Sequence, residues 1–290
     1  MEGIISTCDV FQTDSEIVNR IYETCNNYQI EYSDDADNSV CAIYFSSNDI
    51  YFPNNEEIFT KRIINKNFFE WYHTRIAKAH KHIFLRDIFK QWYLKGINKT
   101  INSPDKLSIF LQKEVKGYSN VITIGSSAGG YAAILYGSLI GAQTVFTFNP
   151  QFEINSLLER SNETINPLVF RLKDRMNKWF DIVPFITPKT EIYYFYSKKS
   201  PWDKEQHNHI PPMCNLHQIS FQTAHHGIPF IKKALPVILN ANIGTLNSFE
   251  KHTHNPIIFS IKLIGLYNTI SGLVTQLYQA YKKKKITISL

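Results

Sequence analysis

Short apolar runs recur along the chain, and stretches with helical character separate most of them. Each run ends at polar or turn-forming residues, as is typical of strands buried inside a sheet. The runs predict strands at residues 41–45, 82–85, 121–124, 144–148, 191–197 and 216–222. Strands that alternate with helices indicate an α/β fold, with a mostly parallel sheet and helices on both faces.

The segments between these strands are predicted to be mainly helical. Helices are expected at residues 56–80, 105–116 and 128–139, and after Pro229. Residues 152–185 are helical or irregular in character and interrupt the alternation, so we interpret them as an insertion or lid. The first forty residues are polar and in places acidic, and they predict short strands and loops.

The end of the chain has a different pattern, which divides the sequence into an α/β domain at 1–240 and a C-terminal extension at 241–290. Apolar residues recur there at spacings of four and three, which predicts an amphipathic helix. They are Phe259, Leu263, Leu266, Ile270, Leu273 and Leu277. Polar residues such as Lys262, Asn268 and Gln276 argue against a membrane-spanning helix.

Three roles therefore remain open for residues 256–285. The helix can dock on its own domain or on a second protein, for example in an assembly complex. It can also lie at a membrane surface with the Lys282–Lys285 run beside anionic lipid. The sequence predicts no oligomeric state.

Composition narrows the class of protein. The 290 residues are 43% hydrophobic, with a formal net charge of +6, which indicates a globular protein. No basic stripe interleaved with aromatic residues accompanies that charge, so we expect no nucleic-acid partner. Cys8, Cys25, Cys41 and Cys214 form no C-x-x-C pair and predict free thiols in a reducing compartment. No secretory signal is recognisable at the first residues, so the expected location is the cytoplasm or, peripherally, the inner face of the membrane.

The strand at 121–124 runs directly into the sequence G-S-S-A-G, residues 125–129, which is followed by a predicted helix. G-x-S-x-G between a strand and a helix is typical of a serine nucleophile held in a strained turn, with small residues where strand and helix cross. Ser127 is at the centre of the motif. A purely structural turn, a phosphate-binding loop and Ser126 as the nucleophile are weaker alternatives, since no G-x-G-x-x-G or G-K-[ST] pattern is present.

A serine nucleophile needs a histidine base, which is itself oriented by a carboxylate. When the serine occupies such a turn, the acid and then the histidine follow it along the chain. Asp203 follows the strand at 191–197 and is the predicted acid, with Glu205 as the alternative. His226 follows the strand at 216–222 and is the predicted base, because Gly227 lets the backbone turn beside it. His225 remains the alternative base.

Backbone amides are expected to bind the oxyanion that forms during acyl transfer. Ala128 begins the helix after the nucleophile and supplies one candidate amide. Ser46 or Ser47, which follow the strand at 41–45, supply the second. The pairs His207-x-His209 and His252-x-His254 lack nearby ligands at convincing spacing, so no metal site is predicted.

Several segments together carry a family resemblance. The chain resembles a group of serine-dependent proteins in four segments. They are G-S-S-A-G-G-Y-A-A, F-N-P-Q at 148–151, F-L-R-D-I-F-K-Q-W-Y-L-K-G-I at 84–97 and the late H-G-I-P. These are α/β-hydrolase-fold acyltransferases and esterases of bacterial surface or capsular polysaccharide gene clusters. The resemblance covers about residues 40–240 and implies an α/β-hydrolase fold. The H-G-G-G form of the oxyanion loop is missing.

The resemblance also implies an activity. Some proteins of this group are capsule O-acetyltransferases, which transfer an acetyl group from acetyl-CoA to a sugar hydroxyl through an acyl-serine. By this resemblance the expected substrates are acetyl-CoA as acyl donor and a carbohydrate or polysaccharide acceptor, with no bound cofactor. The alternatives are an esterase or thioesterase with the same Ser-His-Asp triad, and a non-catalytic binding protein of a polysaccharide assembly complex.

Overall fold

A seven-stranded sheet forms the centre of the protein in a computed structural model that describes residues 9–288, with side chains to residue 282. The strands are β1 (Tyr28–Tyr32), β2 (Asp37–Phe45), β3 (Ala79–Leu85), β4 (Asn120–Ser126), β5 (Thr144–Phe148), β6 (Glu191–Ser197) and β7 (Leu216–Phe221). Their order in the sheet is β1-β3-β2-β4-β5-β6-β7. Only β1 runs antiparallel to its neighbour; β2 to β7 are parallel. The mostly parallel sheet predicted from the sequence is confirmed.

Helices cover both faces of this sheet. They are α1 (Phe11–Asp14), α2 (Glu16–Thr24), α3 (Glu56–Phe59), α4 (Pro104–Glu114), α5 (Ala128–Ile140), α6 (Leu157–Arg160), α7 (Pro167–Met176), α8 (Pro201–His209), α9 (Leu235–Leu239), α10 (Ile243–Ser248) and α11 (Pro256–Ile288). One core contains buried residues of α2, α4, α5 and α7, and the other contains residues of α9, α10 and α11.

Strand β2 shows how the sequence builds these two cores. Ile43 and Phe45 pack into the first core, whereas Ala42 and Tyr44 pack into the second. Successive side chains of a strand point to opposite faces of the sheet, so a strand buried on both faces is apolar at nearly every position. This explains why an unbroken apolar run predicted β2.

Two predictions of local structure are wrong. The first forty residues contain helices α1 and α2 as well as β1, where strands and loops were expected. Residues 56–80 are helical only to Asn65, first as α3 and then as one π-helical segment. The chain leaves the helix near Asn67, whose φ is +43°, and Trp71 beyond it donates its indole Nε1–H to the Phe45 carbonyl at 2.9 Å. Tertiary packing overrides the helical pattern here.

The insertion between β5 and β6 contains α6, α7 and two short 3₁₀ segments, as expected for a helical lid. It is tied to the sheet domain at several points. The Tyr131 hydroxyl of α5 donates to the Trp179 carbonyl, and the Phe152 amide donates to Gln206 Oε1 at 2.6 Å. These bonds fix the insertion to α5 and α8.

The residues after 240 begin as part of the main domain. Leu246 and Phe259 are buried in the second core, and the backbone of His254 pairs with β7. The predicted division between an α/β domain at 1–240 and an extension at 241–290 stays a prediction. Among the described residues, Pro256–Lys282 of α11 is the one segment long and apolar enough to cross a membrane, by length and composition only, a test that helices of soluble proteins also pass.

The predicted free thiols agree with the structure as far as it describes them. Cys25, Cys41 and Cys214 form no disulfide. Cys8 lies outside the described residues, as do the side chains of Lys283–Lys285.

The backbone of β4 passes α5 and β2 at very short distances. A Cβ on Gly125 would lie 1.9 Å from the Gly129 carbonyl oxygen, and one on Gly129 would lie 2.3 Å from the Phe45 carbonyl oxygen. Both obstacles are main-chain atoms, which cannot rotate away. Glycine at these positions is therefore a steric requirement of the strand–turn–helix unit.

We predict that Gly129→Ala destabilises the protein by about 3 kcal/mol or more, because α5 must move away from β2. Gly244→Ala is the matched control. A Cβ there meets its nearest neighbour, Asn242 Oδ1, at 3.5 Å, and alanine favours helix α10. Urea unfolding measures both variants. Equal stability of the two would contradict the steric role of Gly129.

Candidate active site

Ser127 occupies a strained turn between β4 and α5. Its φ of 53° and ψ of −125° lie in a region that residues other than glycine rarely adopt. The turn is held from both sides, since the Ser127 amide donates to the Phe148 carbonyl at 2.9 Å and the Ser127 carbonyl accepts from the Tyr131 amide at 3.0 Å. The hydroxyl is therefore presented at the carboxyl end of β4, where sites of parallel sheets lie.

The structure brings Ser127, His226 and Asp203 into one hydrogen-bonded line. His226 Nε2 lies 2.8 Å from Ser127 Oγ. On the other side of the ring, His226 Nδ1 lies 2.8 Å from Asp203 Oδ1. With Nδ1 protonated and bonded to the carboxylate, Nε2 is free to accept the serine proton.

Asp203 is completely buried, whereas the His226 side chain is 39% exposed. The carboxylate lies in the first turn of α8, whose positive dipole end favours negative charge. Its Oδ2 atom has no hydrogen-bond partner among the described residues. The bond of this buried carboxylate to His226 Nδ1 therefore fixes the orientation of the ring.

Asn149 holds the loop that carries His226. Its Nδ2 donates to the His225 carbonyl at 3.3 Å and the Gly227 carbonyl at 2.7 Å, and its Oδ1 accepts from the Ser197 amide at 2.8 Å. Asn149 follows β5 with a φ of +43°, a conformation that asparagine tolerates better than most residues. No role for Asn149 was predicted from the sequence, although its place directly after a parallel strand was a signal for one.

The candidate oxyanion amides differ in availability. The Ala128 amide, at the start of α5, has no acceptor among the described residues. The expectation for Ser46 is wrong, because its amide donates to the Leu85 carbonyl at 3.0 Å and so continues the β2–β3 pairing.

The Ser47 amide already has an acceptor inside the protein. It donates to Glu70 Oε2 at 2.6 Å, and the Glu70 amide in turn donates to the Ser46 hydroxyl at 3.3 Å. Burial raises the pKa of Glu70. The Ser47 amide can donate to a substrate oxygen only after its hydrogen bond to the Glu70 carboxyl group is broken.

The alternative site residues lie outside this line. The His225 ring forms no hydrogen bond with any described residue, and Glu205 forms an ion pair with Arg160. In the described part of the chain, no group of three or more His, Cys, Asp or Glu residues comes together as a metal site. Two clefts of about 330 and 310 Å³ are lined mainly by residues 21–29 and 63–73. Neither is lined by Ser127, Asp203 or His226.

A serine in a strand–turn–helix, followed along the chain by an acid and then a histidine, is the arrangement of α/β hydrolases. With its mostly parallel sheet and helical insertion, the chain has an α/β-hydrolase fold.

Neither protein-family models nor curated proteins match the sequence. Solved structures do match. A protein of unknown function from Staphylococcus aureus is 14% identical, with a TM-score of 0.44, over 77% of this chain and 94% of the other. The capsule O-acetyltransferase of Neisseria meningitidis serogroup A is 14% identical, with a TM-score of 0.44, over 63% and 76%. Esterase B from Lactobacillus rhamnosis is 12% identical, with a TM-score of 0.38, over 89% and 91%. Likenesses this distant carry no conclusion about activity.

We predict that Asn149→Ala loosens the loop of His226, because the Gly227 carbonyl loses its donor and the His225 carbonyl keeps only the Ser197 hydroxyl. The expected loss of stability is about 2 kcal/mol, and the reaction rate of Ser127 with an acylating probe should fall at least about tenfold. Asn268→Ala is the control, since the Asn268 side chain is exposed and, in the described part of the chain, bonds only to the Ile264 carbonyl one turn earlier. Wild-type reactivity of Asn149→Ala would show that the loop is held without it.

Proposed function

We propose that the protein is a serine acyltransferase that O-acetylates a bacterial capsular or other surface polysaccharide, with acetyl-CoA as donor. The observation that carries this proposal is the line from Ser127 Oγ through His226 to the buried Asp203, with both hydrogen bonds at 2.8 Å. Such a line activates a serine for acyl transfer. The choice of donor and acceptor rests on the sequence resemblance.

In the first half-reaction, His226 Nε2 takes the Ser127 proton as Oγ attacks the thioester carbonyl of acetyl-CoA. The carbonyl oxygen becomes negatively charged and accepts a hydrogen bond from the Ala128 amide, next to the N-terminus of α5. Asp203 stabilises the protonated imidazole. His226 then gives its proton to the leaving sulfur, so CoA departs as a thiol and Ser127 carries the acetyl group.

In the second half-reaction, His226 Nε2 removes the proton of a sugar hydroxyl, whose oxygen attacks the acetyl carbonyl of the acyl-serine. The collapsing intermediate releases the sugar acetate, and His226 returns the proton to Ser127 Oγ. The exposed edge of His226 suits a bulky acceptor, because a polysaccharide chain must reach the acyl-serine from outside.

The same exposure favours a second candidate, an esterase or thioesterase. Water reaches an exposed histidine as readily as a sugar does, and hydrolysis of the acyl-serine uses the same groups. The two activities differ only in the nucleophile that resolves the acyl-enzyme.

The adjacent histidines provide a direct test of the nucleophile and base. We predict that Ser127→Ala abolishes labelling by a fluorophosphonate, and that His226→Ala slows labelling at least about a thousandfold because Oγ loses its base. His225→Ala is the matched control and should retain most of the rate. Mass spectrometry of the labelled peptide locates the adduct. Normal labelling of Ser127→Ala would exclude this serine as the nucleophile, whereas no labelling of the wild-type protein would favour a non-catalytic binding protein.

A second assay separates transfer from hydrolysis. We predict that CoA is released from acetyl-CoA only when a suitable bacterial polysaccharide is present, that the polysaccharide gains acetyl groups, and that Ser127→Ala stops both. Thiol titration and mass spectrometry of the product measure them. CoA release at the same rate without acceptor, or turnover of simple esters alone, would establish the hydrolase instead.

A further inference from the structure

The second part of helix α11 turns most of its large apolar residues away from the protein. Beyond the bend at Gly265, seven large apolar side chains are more than half exposed: Leu266, Tyr267, Ile270, Val274, Leu277, Tyr278 and Tyr281. With Ile257 and Ile258, the helix holds nine of the sixteen exposed large hydrophobic side chains of the described residues. Scattered exposed apolar residues are normal, but a concentration on one helix marks an interaction surface.

The side of α11 that faces the domain is small and polar. Thr269 is buried, and Gln276 Oε1 accepts the Lys232 amide proton at 2.9 Å. At Gly272 a Cβ would lie 2.6 Å from Ile231 Cγ2, so the helix backbone rests directly on this segment. Leu266, Ile270 and Leu277 of the stripe predicted from the sequence are exposed and point outwards in this part of the helix.

These two sides follow from helical geometry. At 100° per residue, the seven exposed apolar residues from Leu266 to Tyr281 fall within an arc of about 120°, and Thr269, Gly272 and Gln276 lie on the opposite side. The exposed arc is about 22 Å long. It is a continuous surface and not a few isolated side chains.

The net positive charge of the protein comes from the same part of the chain. Residues 251–290 contain six lysines and neither aspartate nor glutamate, so they carry the whole formal net charge of +6. The other 25 basic residues are balanced by 25 acidic ones. A surface that combines apolar side chains with clustered lysines is complementary to a bilayer of anionic lipids.

We propose that α11 binds an anionic lipid bilayer and lies along it, with its outward apolar face inserted at the level of the headgroups. Tyr267, Tyr278 and Tyr281 have an apolar ring and a polar end, which suits that level. Because Thr269, Gly272 and Gln276 remain packed on the domain, the helix lies in the interface and does not span the bilayer. The apolar face and the lysines supply the two attractions that stable attachment needs.

Flotation of the full chain with vesicles tests the apolar face. We expect the wild-type protein to float with vesicles of phosphatidylcholine containing phosphatidylglycerol. The triple variant Leu266→Gln, Ile270→Gln, Leu277→Gln should bind at least about tenfold more weakly, because less apolar surface is buried on binding. Ile109→Gln is the control, since Ile109 is 65% exposed on α4, away from α11. Thermal unfolding should be the same for all three proteins.

A second variant tests the charge. Replacing Lys282 to Lys285 by glutamine should weaken binding to the anionic vesicles and reduce its dependence on salt, while leaving the weaker binding to pure phosphatidylcholine unchanged. Ser127→Ala should bind like the wild-type protein, so failure of the proposed activity and failure of this proposal are distinguishable.

Two results would overturn membrane binding. The first is that wild-type protein does not float with anionic vesicles. The second is that light scattering shows a wild-type dimer which the triple variant converts to a monomer while vesicle binding is absent from both; the outward face would then bind a second copy of the chain.

Discussion

The close approach of three backbone segments around Ser127 is the constraint on which the candidate site depends. Gly125 and Gly129 have no room for a Cβ because β4, α5 and β2 cross there at main-chain contact distance. The same crossing forces Ser127 into its positive φ, and the cost of that conformation is offset by the packing of α5 against the sheet. The strain and the exposure of the hydroxyl therefore have one cause.

The burial of Asp203 is the second element of the site. The Asp203 carboxylate is fully enclosed and, among the residues that the structure describes, its one hydrogen-bond partner is His226, so the compensation of its charge depends on that ring. The start of α8 lowers the cost of this burial, because the positive end of the helix dipole lies beside the carboxylate. The loop of His226 is held independently through Asn149, so the ring keeps its position at an exposed edge of the protein.

The sequence predicted the fold and the three aligned side chains for a simple reason. Parallel strands end at one edge of the sheet, so residues that follow successive strands are brought together regardless of their separation along the chain. Local patterns could not predict that Ser46 continues the pairing with β3, or that the Ser47 amide bonds to Glu70 from a non-helical loop. Those contacts join distant segments, and they depend on how the loop after α3 packs.

The same limit explains why the orientation of α11 could not be predicted from the sequence. A spacing of four and three showed an apolar stripe but not the direction in which it points. The direction is set by the other side of the helix, where Gly272 allows contact with Ile231 and Gln276 accepts from Lys232. Lys232 follows His226 by six residues, so the segment that supports the helix continues from the loop that carries the candidate base. A bilayer bound to the outward face of α11 would therefore lie against a helix that rests on this segment. One short stretch of chain then joins the proposed membrane-binding helix to the loop of His226.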